Sequence, residues 1–405
     1  MSGAHTQPAP VGPAPRRAGL LLAVGALSGF GPLCLDMYLP ALPELPGDLG
    51  STAGAAQLTL SACIVGLALG QLLVGPVSDA VGRRGPLLVG VTVFAAASAV
   101  CALTTSMTVL IAARFVQGAA GAAGIVVGRA VVADLFVGRA AASAFATVAA
   151  VNGLAPVLAP LIGGQVLRVG DWRTVFWVLA GLGLVLLALA AALIPESLPR
   201  ERRGGRTGTL AAFRVLLADR AYLGCVLAGT MVSAAMFGYI SASPFLFQEG
   251  FGLSPQAFSW TFALNAVGIV LATQIGRVAL RRVGPASILA AGIAQAAVGA
   301  AALTVAVLAG WGVVAVAVAL FVMVSAVGLA LPNASALALA RHREIAGSAS
   351  ALFGLTQFAL AAVTAPLVGL GDRAAGTALA VTAVVCVLLG AGAFLLARRA
   401  EARTG

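Results

Sequence analysis

Apolar stretches long enough to cross a membrane recur along this 405-residue chain, and short segments between them carry nearly all of its charge. A helix needs about 20 apolar residues to cross a hydrocarbon core of about 30 Å, where every backbone amide must be hydrogen-bonded within the helix. This length predicts an all-α polytopic membrane protein with twelve transmembrane helices. The predicted spans are residues 18–42, 54–78, 86–104, 107–128, 141–167, 174–195, 221–247, 255–276, 285–308, 312–334, 345–370 and 374–397, and only Gly310-Trp311-Gly312 marks the turn between the ninth and tenth spans.

The basic side chains, all of them arginine, cluster in alternate loops. The loops predicted to lie outside hold Arg168, Arg173 and Arg373, one further arginine lies inside a span, and the others lie on the opposite side. Because positive loops stay in the cytoplasm, we expect both termini to be cytoplasmic in a bacterial cell membrane. A long basic stretch, from Glu196 to Arg220, divides the chain into two pseudo-symmetric six-helix bundles. The predicted parts are a tail 1–17, a bundle 18–195, a cytoplasmic linker 196–220, a bundle 221–397 and a tail 398–405.

Composition excludes several other classes of protein. The chain is 60% hydrophobic and only 9% charged, and its mean hydropathy is +1.05, so a soluble fold of this length could not cover its surface with polar groups. The net charge of +11 is explained by topology and by anionic lipid headgroups, because the arginines lie between spans without interleaved aromatic residues. We therefore expect no nucleic-acid partner; the expected partners are the lipid bilayer and a small-molecule substrate, and the expected functional unit is a monomer.

No catalytic or metal-binding pattern stands out in the sequence. It lacks a phosphate-binding loop, a zinc-protease motif and a nucleophile elbow. The five cysteines are isolated within apolar runs and are interpreted as small core residues. We therefore expect no enzymatic activity, no metal and no cofactor, with protons as the coupling ion.

A motif follows the second span and reads Gly75-Pro-Val-Ser-Asp79-Ala-Val-Gly82-Arg83-Arg84. It resembles the GxxxDxxGRR signature of the major facilitator superfamily. Asp79 would lie at a helix carboxyl end, which already carries partial negative charge, so this carboxylate needs a cationic partner. The resemblance suggests Arg129, together with the start of the eleventh span, as that partner and implies a role in conformational gating. The alternative, an arginine pair that only sets topology, explains Arg83 and Arg84 but not Asp79.

The fifth span contains a second motif, Gly153-Leu-Ala-Pro156-Val-Leu-Ala-Pro160-Leu-Ile-Gly163-Gly164. It is similar to the antiporter motif of drug exporters in the same superfamily, and the resemblance implies gating here too. Each proline removes an intrahelical hydrogen bond, and the glycines let a neighbouring backbone approach. The motif predicts a kinked, closely packed helix. Ordinary packing of small residues is the alternative.

The first span narrows the resemblance to the Bcr/CflA drug-resistance branch, through the segment from Asp36 to Pro43, Asp-Met-Tyr-Leu-Pro-Ala-Leu-Pro. Asp36 is the only acidic residue predicted to lie well inside a span. An ionised carboxylate there is costly, which suits a group that loads and releases a proton. The alternative is a structural carboxylate bonded to the backbone or to Arg114. Ser28 lies where one type of multidrug exporter has a second carboxylate, so Asp36 would work alone.

The fourth span carries Arg114-Phe-Val-Gln117-Gly118, similar to the family's RxxQG. We expect the Arg114 guanidinium to face the interior, to find an acceptor there and to act with Asp36 in proton coupling; the alternative is that it extends outward to the interface. The resemblance implies proton-coupled efflux of a small, largely apolar drug or antibiotic by alternating access. An importer of the same fold stays open, as does a membrane-embedded enzyme or channel, which would need ionisable groups clustered in several spans. The candidate cavity residues are polar or aromatic: Tyr38, Gln117, Asn152, Phe237, Tyr239, Asn265 and Gln357.

Overall fold

Helices make up nearly all of the computed structural model, which describes residues 14–136, 138–200, 209–342, 345–369 and 375–402. The described residues contain no strand, so the predicted all-α fold class is confirmed. The helices are α1 (Ala14–Ser28), α2 (Phe30–Asp36), α3 (Glu44–Asp48), α4 (Ala53–Val81), α5 (Arg84–Leu103), α6 (Met107–Leu135), α7 (Gly138–Val166), α8 (Trp172–Leu193), α9 (Thr209–Ala218), α10 (Arg220–Pro244), α11 (Pro255–Ala279), α12 (Pro285–Leu308), α13 (Val313–Ser325), α14 (Val327–Arg341), α15 (Ala346–Gly369) and α16 (Ala375–Ala402).

The described helices supply ten or eleven of the twelve predicted spans as candidates to cross a membrane. Ten segments are long and apolar enough to cross a membrane, with α13 and α14 together forming one of them, and α1 with α2 forms a bent eleventh candidate. The predicted fifth span corresponds to α7, whose apolar part is Gly153–Val166. Some bounds differ from the prediction. The fourth span was expected to end at 128, but α6 continues to Leu135.

The first span is broken, contrary to the prediction of one helix over residues 18–42. α1 ends at Ser28, α2 ends at Asp36, and a 3₁₀ turn follows over Leu39–Ala41. The two parts of the span meet at an angle of 46°. Pro32 lacks the N–H that would bond to the carbonyl of Ser28, which explains a break at this place. The predicted linker also differs, because its residues Thr209–Ala218 form the apolar helix α9.

Local sequence explains where several helices begin and end. The Thr52 side chain accepts a hydrogen bond from the N–H of Ala55 at the start of α4. At the start of α11, the Ser254 side chain accepts one from the N–H of Ala257. Gly82 ends α4 with a φ of 110°, and Gly310 has a φ of 65° between α12 and α13. Glycine adopts such angles without steric cost, and Gly310 confirms the turn that the sequence predicts between the ninth and tenth spans.

Two sets of helices pack mainly within themselves. The first set comprises α1 to α8, in which α4 packs on α6 and α5 packs on α6 and α8. The second set comprises α10 to α16, in which α10 packs on α14, α15 and α16. The sets meet where α15 lies against α4 and α11 lies against α7. We call the end of the molecule that carries Arg83, Arg281 and Arg399 the basic end, and the other end the opposite end.

Candidate functional site

Asp36 is the last residue of α2, and its side chain is buried among apolar neighbours. It is 6% exposed, and Cys34 and Tyr38 on either side are fully buried. Within the described part of the chain, no hydrogen bond or ion pair reaches its carboxyl group. An ionised carboxylate in such a place costs much free energy, so this group is suited to hold a proton. The proposed bond between Asp36 and Arg114 is not among the described contacts.

Arg114 lies in α6 and is completely buried, so it does not extend outward to the interface. Its Nη1 atom donates a hydrogen bond of 2.5 Å to Oε1 of Gln117, whose Nε2 donates in turn to the Ser98 hydroxyl at 2.7 Å. The predicted acceptor is therefore Gln117. The Nε and Nη2 atoms have no partner in the described residues. Two buried nitrogen atoms, with three N–H groups between them, are therefore available to a water molecule or a ligand with acceptor oxygens.

Aromatic rings cover the guanidinium and connect it to the broken first span. The Arg114 Cζ atom lies 4.4 Å from the centre of the Tyr38 ring and 5.5 Å from that of Phe176. The face of an aromatic ring attracts a cation, so the rings partly offset the cost of burying this charge. The Tyr38 hydroxyl also bonds to the Thr59 hydroxyl on α4. The structure thus brings Tyr38, Arg114 and Gln117 together. Tyr38 lies two residues after Asp36 in the chain.

The candidate cavity residues of the second set bond or pack against residues of neighbouring helices in the same set. Asn265 donates a hydrogen bond of 2.7 Å to the Tyr239 hydroxyl, and Gln357 donates one of 3.0 Å to the Ser233 hydroxyl. The Phe237 ring packs against that of Phe358 at 6.1 Å. In this conformation these side chains connect α10 with α11 and α15, as polar and aromatic residues commonly do between transmembrane helices. The side chain of Asn152, another candidate, lies outside the described residues.

The opposite end is closed by contacts between the two sets of helices. Nε2 of Gln248 donates to the carbonyl of Pro40 at 3.0 Å, and Nε2 of Gln256 donates to the carbonyl of Gly164 at 2.8 Å. We call these two hydrogen bonds the glutamine latch. Sequence reasoning missed both glutamines, although a polar amide beside an apolar span was a signal that could have identified them.

The antiporter-like motif of α7 makes two close backbone contacts at the same end. A Cβ atom on Gly163 would lie 1.8 Å from the carbonyl oxygen of Met37. A Cβ atom on Gly164 would lie 2.4 Å from the Ser259 hydroxyl of α11. The backbone oxygen of Met37 leaves room only for glycine at position 163, so the close packing predicted for this motif is present. α7 continues through Pro156 and Pro160 as a single helix over Gly138–Val166.

Polar contacts also fix the start of α8 at the opposite end. Nε1 of Trp172 donates to Asp48 at 2.8 Å, and Arg173 forms an ion pair with the same carboxylate. The hydrogen bond from Trp172 lowers the pKa of Asp48 most, and the hydrogen bond from Arg173 lowers it further. The contacts join α3, which follows the first span, to the first turn of α8.

At the basic end, Asp79 bonds to Arg83, whereas the resemblance suggested Arg129. The distance from Asp79 to Nη1 of Arg83 is 2.5 Å, and Nε of Arg83 lies 3.1 Å from Asp134. The turn at Gly82 brings Arg83 back over the last turn of α4, which explains why a nearby arginine takes this position. Arg129, one turn before Asp134 in α6, is exposed. The predicted motif thus forms an ionic network, but with a different partner for Asp79.

The network extends to the end of the first set. The Ser197 hydroxyl donates to Asp134 at 2.8 Å, and the Glu196 carboxylate accepts the N–H of Arg83 at 2.8 Å and that of Arg84 at 3.3 Å. These contacts connect α4, α5, α6 and the chain after α8. They lie within the first set, so they hold its basic end together as one unit.

We expect Arg83→Ala to lower the free energy of unfolding by roughly 2 kcal/mol, because it leaves two partly buried carboxylates without their cation. Arg281→Ala is the matched control, since it removes an exposed arginine of the basic end whose side chain has no described partner. Thermal unfolding of the purified proteins in detergent measures the difference. Equal shifts for the two variants would show that the network contributes no specific stability.

The second set has its own polar cluster at the basic end. Asp219 accepts hydrogen bonds from the N–H groups of Ala221 and Tyr222 at the start of α10, and it contacts Arg341 at 3.1 Å and His342 at 2.9 Å. Partial burial acts to raise the pKa of Asp219, but the hydrogen bonds from Tyr222, Arg341 and His342 outweigh it and lower this pKa. The cluster fixes the start of α10 to the end of α14.

Comparison with known proteins identifies similar chains. The model of the Major Facilitator Superfamily matches residues 24–366. An uncharacterized MFS-type transporter of Bacillus subtilis, YdgK, is 37% identical over 91% of this chain and 94% of its own length. A bicyclomycin resistance protein homolog of Haemophilus influenzae is 31% identical over 95% of this chain and 97% of its own length.

Solved structures share the fold at low sequence identity. A bacterial homolog of the human lysosomal transporter Spinster, in an inward-facing and unoccupied conformation, has a TM-score of 0.76 and 16% identity, and the match covers 96% of this chain and 98% of that one. A D-xylose–proton symporter has a TM-score of 0.74 and 16% identity, with 92% of this chain and 97% of that one covered.

Proposed function

Because the chain belongs to the major facilitator superfamily, we propose that it exports a small, largely apolar drug or antibiotic across the bacterial cytoplasmic membrane in exchange for protons. The family and the apolar helices make it a multi-pass membrane transporter, not an enzyme. The direction of transport, the proton coupling and the apolar substrate are the proposal. The relative named for bicyclomycin resistance supports the substrate class.

The buried carboxyl group of Asp36 carries the proposal of proton coupling. It lies in a membrane-spanning segment, is 6% exposed and has no described partner, so its charge state depends on which side of the protein hydrates it. Substrate entering from the cytoplasm releases the proton of Asp36 to that side. After the opposite end opens, the substrate leaves and a proton from outside returns to the carboxylate.

Arg114 and Tyr38 support this role from the neighbouring helix face. The guanidinium lies over the Tyr38 ring, and its two unpartnered nitrogen atoms can donate to an acceptor oxygen of the substrate or of water. The glutamine latch and the Gly164 contact with Ser259 of α11 hold the two sets together at the opposite end. The opposite end, which is the outer side in this proposal, is therefore closed in this structure.

Transport into everted membrane vesicles tests the proposed function. We expect vesicles with an acidic interior to accumulate at least one apolar antibiotic, and a protonophore to stop the accumulation. The host carrying the protein should also tolerate a higher concentration of that compound. Uptake into intact cells, without any resistance, would instead assign the protein as an importer.

Labelling of single cysteines tests the orientation. Val169→Cys, at an 87% exposed position between α7 and α8, should react with a membrane-impermeant maleimide in intact cells, and Arg399→Cys should react only after the cells are opened. The five native cysteines are buried, so they give little background. The reverse labelling pattern would contradict the cytoplasmic assignment of the basic end.

A further inference from the structure

A crevice lies at the basic end between the start of α10 and the end of α16. Its volume is about 710 Å³, within the range of about 300–1,000 Å³ that is usual for small-molecule sites. Residues of both helices and of the end of α14 line it. The end of α9 and Asp219 complete the lining, and the crevice is separate from Asp36 and Arg114 in the first set.

One part of the crevice is apolar. Leu223 and Leu227 are partly buried along α10, and Leu396 on α16 is 64% exposed. The helices touch behind these side chains, where a Cβ atom on Gly224 would lie 2.7 Å from the Cβ of Ala397. The contact closes the floor, so the apolar part forms a groove that opens outward along the two helices.

The other part is cationic and lies at the boundary of the hydrocarbon. The apolar span of α10 begins at Arg220, and that of α16 ends at Ala400, next to Arg399. Arg220 and Arg399 are exposed, and neither side chain has a described hydrogen bond or ion pair. Asp219, the acidic residue of the lining, is already engaged by the N–H groups of α10 and by Arg341. The two exposed arginines therefore leave this part of the crevice with a positive charge that attracts anions.

We propose that this crevice binds an anionic phospholipid, with its phosphate on Arg220 and Arg399 and an acyl chain along Leu223, Leu227 and Leu396. A phosphate group suits the donor geometry of arginine. An acyl chain suits the apolar groove, and basic pockets between transmembrane helices on the cytoplasmic side are typical sites for anionic headgroups. A soluble anion would fill only the cationic part, and an apolar compound would leave both arginines without a counter-ion. A phospholipid satisfies both parts.

Native mass spectrometry of the purified full-length protein tests the site. The probes are dioleoylphosphatidylglycerol and dioleoylphosphatidylcholine, which have the same chains and differ in headgroup charge. We expect the wild-type protein to retain phosphatidylglycerol preferentially. Arg220→Gln with Arg399→Gln should weaken its binding about fivefold for each arginine removed. Arg281→Gln with Arg282→Gln, the matched control, removes two exposed arginines of the same end and should leave binding unchanged.

The charge-preserving pair Arg220→Lys with Arg399→Lys separates a binding effect from a folding defect. It should retain more phosphatidylglycerol than the glutamine pair, since it keeps both positive charges. Equal retention of the two lipids by the wild-type protein would overturn the proposal, as would equal losses in the glutamine pair and its matched control. Inorganic phosphate that displaces the lipid at equal concentration would assign the crevice to a free anion and overturn it as well.

Discussion

Asp36→Asn is expected to reduce proton-driven export to the level of membranes that lack the protein. Asparagine keeps the size and polarity of the side chain but cannot bind and release a proton, so the exchange loses its coupling group. The described contacts show no hydrogen bond that asparagine would break at this position. Folding should therefore be retained, and substrate binding should persist while export stops.

Vesicles with an imposed pH gradient measure this effect, and two variants serve as its controls. Asp36→Glu keeps a carboxyl group and should restore part of the export. Glu249→Gln removes an exposed carboxylate at the opposite end and should leave export near the wild-type rate. In detergent, substrate binding should release protons from the wild-type protein and not from Asp36→Asn. Proton-driven export by Asp36→Asn would exclude Asp36 as the obligatory carrier.

The second large effect is expected for Gly163→Ala. The added methyl group would lie 1.8 Å from the carbonyl oxygen of Met37, and a backbone atom cannot rotate away as a side chain can. α7 must then move from the first span, directly beside Asp36. Overpacking of this kind typically costs about 1–3 kcal/mol and displaces neighbouring backbone. We expect export to fall close to background even where folded protein remains.

Gly181→Ala is the matched control for this steric effect. Gly181 lies inside α8, and a Cβ atom there would meet no other atom within 4 Å. Both substitutions bring the same gain of about 0.5–1 kcal/mol in helix propensity, so the difference between them reports the contact with Met37. Export rates and size-exclusion profiles of the two proteins measure it. Normal export by Gly163→Ala would show that α7 tolerates separation from the first span.

The sequence predicts the helices well because one physical requirement dominates them. A span must be apolar over a fixed length, and this requirement is visible without knowledge of the neighbours. It does not specify the path of the chain inside the span. The break between α1 and α2 depends on Pro32 and on how α2 packs against α6 and α7, so a count of apolar residues could not locate it.

The candidate site was predictable in its residue types but not in its contacts. The sequence singled out Asp79 and its need for a cation, yet the actual partner, Arg83, depends on the turn that Gly82 makes. Arg114 and Gln117 lie one turn apart in α6, so their bond follows from helix geometry. The position of Tyr38 over Arg114 depends on the packing of two helices, which no local pattern specifies.

The glutamine latch has a consequence for the equilibrium between conformations. Both of its donors are uncharged amides and both acceptors are backbone carbonyls, so neither salt nor pH alters the bonds directly. A neutral hydrogen bond contributes about 0.5–1.5 kcal/mol net, and two give about 1–3 kcal/mol. If the latch alone sets the equilibrium, the form in which the opposite end is open has a population of roughly one molecule in five to one in two hundred. An equilibrium so nearly balanced responds to the binding of a single small ligand, and the transporter needs no other source of energy to visit both states.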